Sequence, residues 1–132
     1  MGVLIDEYRR NWAIRYLREA ESDLSTAERT PISAMSVNLA TLAMRKMQTA
    51  IYYSLGDPSY MAFLVGSAIE EGLGDKDSLM RFLVQVEWLI QVRNARAIDS
   101  EKEATLKEAR RLMKLASEMI KGILGKGLEE FG

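Results

Sequence analysis

Between Thr30 and Ile69 the only charged residues are Arg45, Lys46 and Asp57. A segment so poor in charge cannot give a wide face to water. It either lies in the middle of a packed bundle or is covered by a second subunit. Polar groups interrupt it too often for a membrane span. Within it, Met35, Leu39, Leu42, Ala43, Met47, Ala50 and Ile51 recur at helical period, which predicts a helix over Ile32–Leu55. A chain with one small core has limited room to hide such a hairpin, so the sequence favours a homodimer that uses part of it.

The flanking sequence is helical as well. Over Leu4–Glu28 the apolar positions Ile5, Tyr8, Trp12, Leu17, Ala20, Leu24 and Ala27 are separated by Arg9, Arg10, Arg15, Arg18, Glu21 and Asp23, an amphipathic pattern with a solvated charged face. Thr30-Pro31 reads as an N-cap followed by proline in the first turn. Gly56-Asp57-Pro58 ends the second helix and starts a shorter one, about Ser59–Glu70, with Tyr60, Phe63, Leu64 and Ala68 directed inward. Gly72-Leu73-Gly74 closes it, and Asp75 or Asp77 caps a fourth helix over Ser78–Ala97. In Leu79–Val92 only Arg81, Gln85, Glu87 and Gln91 are polar, which places this helix at the centre of the bundle. Ser100-Glu101-Lys102-Glu103 is a capping box for a fifth helix ending near Leu124, whose stripe is Leu106, Ala109, Met113, Ala116, Ile120 and Ile123. No stretch alternates with period two for long enough to form a strand. The expected fold is all-α: an up-and-down antiparallel four-helix bundle with one additional short helix, a single domain over 1–125, and a flexible tail over 126–132.

Composition removes several kinds of chemistry. The chain has 132 residues with no cysteine and no histidine, so thiol nucleophiles, imidazole bases and the usual zinc and di-iron motifs are absent. The acids Glu70-Glu71 and the Glu19, Glu21, Asp23 set read as solvated surface, and no metal or cofactor is expected. A net charge of −1 argues against a strong non-specific hold on nucleic acid. With no signal core at the N-terminus and no long uncharged apolar run, a cytoplasmic protein is expected.

Two groups of cations are candidate ligand sites. Arg93, Asn94 and Arg96 end the fourth helix, where guanidiniums can fork onto a phosphate and an amide can read a base edge. The simpler reading is that these cations favour the helix C-terminus and pair with Asp99 or Glu101. Arg45 and Lys46 stand alone in an uncharged helix and need either a carboxylate such as Asp23 or Glu87 or an anionic ligand. Convergence of Arg45, Arg93 and Arg96 would favour the ligand. Trp12 and Trp88 read as core. One of Tyr52 and Tyr53 packs inward while the other is exposed, and a base-stacking role for them has little support.

Three segments resemble the HEPN family of small prokaryotic helical bundles. They are Tyr16–Ala27, the small-residue helix through Ala43-Met44-Arg45-Lys46-Met47-Gln48-Thr49-Ala50, and Arg93-Asn94-Ala95-Arg96 ahead of a capped final helix. Archaeal PaREP1-type proteins resemble the same bundle. The resemblance implies a metal-independent ribonuclease pair in which Arg93 matches the family's arginine and Asn94 its polar neighbour. The window for the family's histidine holds Ile98, Asp99 and Ser100. An aspartate beside two arginines stays ionised and makes a poor general acid. What the resemblance then implies is a non-catalytic member that binds a nucleotide, RNA or a small nucleotidyltransferase partner, as in toxin–antitoxin pairs. A degenerate ribonuclease and a purely structural helical dimer or scaffold are the alternatives.

Overall fold

The computed structural model of the protein describes residues 2–72, 77–95 and 101–124, with side chains for 7–72, 77–93 and 101–124. These residues form five helices: α1 (Gly2–Arg29), α2 (Ser33–Leu55), α3 (Pro58–Glu71), α4 (Ser78–Ala95) and α5 (Lys102–Leu124). The chain is all-α, and no strand occurs among the described residues.

The helix ends follow from local chemistry at two of the expected caps. Asp57 accepts a hydrogen bond from the Tyr60 amide at 3.0 Å, with Pro58 in the first turn of α3, and Asp77 accepts one from the Met80 amide at 2.8 Å. Gly72 ends α3 with φ of 69°, a left-handed conformation that costs glycine little. Thr30 behaves differently from the expectation. Its hydroxyl donates back to the Thr26 carbonyl at 2.6 Å, and α2 starts after Ile32 with no side-chain cap. Thr30 therefore finishes α1 instead of starting α2. Asp75, the Ser100 end of the capping box and the 126–132 tail lie outside the described residues.

A seam of small residues organises the packing. In α1, Ala13, Leu17, Ala20, Leu24 and Ala27 alternate at four- and three-residue steps, and all are buried. In α2, Ser36, Ala40, Ala43, Met47, Ala50 and Ser54 follow the same rhythm and are buried too. Alanine and serine at these positions let two backbones approach closely, and α1 with α2 is the most extensive helix pair. The pair is antiparallel: the Ser36 hydroxyl donates to the Ala27 carbonyl at 2.7 Å, while Tyr53 reaches Trp12 near the other end. From α5, Thr105, Ala109, Leu112, Ala116 and Ile120 pack onto α2 and α1, and from α4, Leu83, Val86 and Ile90 complete the core.

The helix at the centre is α2. It packs against α1, α3, α4 and α5, which accounts for the scarcity of charge on it. α4, expected in the middle, is peripheral: Trp88 is 52% exposed, and Leu79 and Val92 are exposed as well. In α3 the inward residues are Val65 and Ala68, whereas Tyr60 and Phe63 are 60% and 67% exposed. Tyr8, Met35 and Leu42 also face outward. Helical spacing identified an apolar stripe in each case but not its angular position, because α3 and α4 each carry apolar residues on more than one face.

Candidate functional site

Each described cation singled out in the sequence is held by carboxylates of the chain. Arg93, at the end of α4, reaches both Glu101, just before α5, and Glu108, within α5, and its side chain is only 13% exposed. Hydrogen bonding to Glu108 and then Glu101 outweighs burial and raises its pKa above the ordinary arginine value. Glu101 is thus bound to Arg93, the pairing across the turn that the simpler reading of this helix end expects. The side chain of Asn94, and all of Arg96 and Asp99, lie outside the described residues.

Lys46 projects from α2 to α1, with its Nζ 2.8 Å from Asp23 Oδ2 and 3.3 Å from Glu19 Oε1. The Asp23 contact, with that of Glu19, raises the Lys46 pKa against the opposing effect of burial.

Arg45 belongs to a polar network that crosses from α2 to α4. Glu87 Oε1 accepts from Arg45 Nη1 at 2.7 Å and from Gln48 Nε2 at 2.6 Å, and Oε2 accepts from Gln91 Nε2 at 2.7 Å. Gln48, 4% exposed, also donates to the Tyr52 hydroxyl at 3.1 Å. Burial pushes Glu87 upward, but the hydrogen bonds from Gln48, Gln91 and Arg45 together hold it below the usual carboxylate range. Tyr52 is pushed up to about 12, first by burial and then by the Glu87 charge. Arg45 and Arg93 do not converge. Arg45 meets the Glu87 side of α4, and position 93 lies about 120° further round that helix, facing α5.

Sequence reasoning missed a different cluster at the opposite end of the bundle. A cavity of about 250 Å³ is lined by Arg9 and Arg10 of α1, Tyr53 and Ser54 of α2, and Ile123 and Leu124 of α5. No carboxylate is among these lining residues. The Arg10 Nε is shielded from solvent and has no hydrogen-bond partner among the described residues. Arg9 lies beside the α2–α3 turn, where a methyl group on Gly56 would sit 3.7 Å from its Nη1. Tyr53 stacks on Trp12 and on Tyr16, with ring centroids 6.1 and 5.8 Å apart. Tyr8 packs edge-on to Trp12, and the Arg15 guanidinium lies 5.0 Å from the Trp12 ring. The readable signal was the interleaving Tyr8-Arg9-Arg10-Asn11-Trp12 and Arg15-Tyr16, which a helix–core reading assigns to solvated charge and buried ring.

Tyr53 is held above its ordinary pKa by burial, with Tyr8, Tyr16 and Asp57 adding to the effect, so its phenol stays protonated at neutral pH. Among the described residues no group of acids is arranged to hold a metal ion, and no helix is long and apolar enough to cross a membrane. Comparison with family models, with curated proteins and with solved structures gives no match to this chain.

Proposed function

We propose that the chain is a non-catalytic helical binding domain that takes a nucleotide, free or within RNA, at the end of the bundle formed by α1, α2 and α5. One observation supports this above the rest: the cavity lined by Arg9, Arg10, Tyr53 and Ser54 has two guanidiniums and no carboxylate among its lining residues, and Tyr53, which lines it, stacks on Trp12. Guanidiniums grip phosphate oxygens as a fork, and aromatic faces accept a base without regard to its identity. A phosphate at Arg93 would have to displace Glu101 and Glu108. At Arg10 it would supply a partner for the Nε, which has none among the described residues.

A ribonuclease needs a group that takes and returns a proton near neutral pH. The cavity has guanidiniums, a serine hydroxyl and a phenol of raised pKa, which favours binding over cleavage. The reading keeps the HEPN resemblance, with α1, α2, α4 and α5 as an up-and-down set and α3 as the short addition. It also keeps the role of nucleotide-binding subunit beside a nucleotidyltransferase partner.

Trp12 is a natural reporter. In a Trp88→Phe background it is the only tryptophan, and addition of ATP or a short oligoribonucleotide should quench its emission in a saturable way. Inorganic phosphate should compete without quenching. Unchanged Trp12 emission at saturating ATP and RNA would refute the reading.

A further inference from the structure

We infer that the protein self-associates by inserting α3 of one copy into the groove between α4 and α5 of another. The two backbones leave a groove of about 230 Å³ there, with apolar walls of Phe82, Val86, Leu89, Leu112 and Leu115, and Gln85, Arg111 and the Arg93-bound Glu108 completing its lining. Val86 and Leu112 form a buried floor, and Leu115 stands exposed on the wall. Along the outer side of α5 run Lys107, Arg111 and Lys114, spaced to share a helix face. None of the three has an ion pair among the described residues. Glu108, the acid nearest in sequence, is taken by Arg93.

The complementary element is on the same chain. α3 contains no basic residue, and its only charges are Glu70 and Glu71. Tyr60, Phe63, Glu70 and Glu71 fall within about 100° of one another around the helix axis, so two exposed aromatics and two exposed acids share one face. Spacing agrees as well. Phe63 and Glu70 are separated by about 10 Å along α3, and Leu115 and Lys107 by about 12 Å along α5. With Phe63 beside Leu115 and Phe82, Glu70 and Glu71 reach the cationic stripe. Aromatic anchors in a dry groove with charge pairs at the rim are the usual basis of a specific helix-in-groove contact.

The test is complementation between two variants, each exposed at its mutated site and each checked by circular dichroism for an unchanged helical fold. Phe63→Asp removes the anchor and keeps the groove, while Leu115→Asp with Arg111→Glu spoils the groove and keeps the anchor. Sedimentation velocity should find the wild type associating in a salt-sensitive way, each variant weakened by about tenfold or more, and their mixture forming a heterodimer through the one intact pairing. A monomeric wild type at all concentrations would overturn the inference. So would variants that associate as well as the wild type, or weakened variants whose mixture stays monomeric.

Discussion

Tyr53 lies nearly parallel to Trp12, with their ring planes inclined by 19° and centroids 6.1 Å apart. This contact joins the C-terminal part of α2 to the N-terminal half of α1. The same tyrosine lines the cavity that holds Arg10, so a packing contact of the helix pair also forms part of the proposed ligand wall.

The small-residue seam makes the first prediction. Ala43 is fully buried in α2, and leucine there would force α1 and α2 apart. Ala43→Leu should lower stability by about 1–3 kcal/mol in urea denaturation, whereas Ala34→Leu, at an exposed position of the same helix, should change it by less than about 0.5 kcal/mol.

Glu87 should leave a mark on stability in acid. Its folded pKa is lowered from 4.5, so below that value the unfolded chain binds a proton more readily than the folded one. The contribution is therefore complete above pH 4.5 and disappears as pH falls through the lower folded value. Glu87→Gln should reduce stability at pH 7 by about 1–3 kcal/mol and flatten the stability profile in the acid range. Chemical denaturation across pH reads both.

Tyr52 gives the corresponding effect in alkali. With a pKa near 12 against an ordinary 10.0, the unfolded chain loses its phenolic proton first, so stability falls as pH rises between those values. Ultraviolet titration of the folded protein should contain a late tyrosinate step that is missing in Tyr52→Phe.

Arg93→Ala should act on stability and not on nucleotide binding. Removing the guanidinium leaves Glu101 and Glu108 together without a counter-charge, at an expected cost of about 1–3 kcal/mol. Adding Glu108→Ala should recover part of that loss, because one of the two stranded acids is then gone. Thermal melts of the single and double variants measure the difference.

The helices were readable from the sequence because 3.6-residue periodicity and the turn residues Gly56, Asp57 and Pro58 report local geometry. The partners of Arg45 and Lys46 were foreseeable for a similar reason: charges on a sheltered helix need carboxylates, and Glu87 and Asp23 were within the set to be considered. The angular placement of α3 and α4 was not foreseeable. Phe63 and Trp88 lie in helices rich in apolar residues, and only the tertiary arrangement settles which side is covered. The cluster at Arg10 was hidden because Tyr53 and Arg10 are distant in sequence and each, taken singly, has an ordinary role in a core or on a surface.

The most direct measurement is the affinity of purified protein for ATP and for a short oligoribonucleotide at two salt concentrations, with Arg10→Ala and Arg93→Ala alongside. Binding that weakens with salt, falls by about 10- to 100-fold in Arg10→Ala through loss of charge-assisted hydrogen bonds, and is unchanged in folded Arg93→Ala is the expected result. Binding lost in Arg93→Ala but kept in Arg10→Ala, or no binding by the wild type, would contradict it.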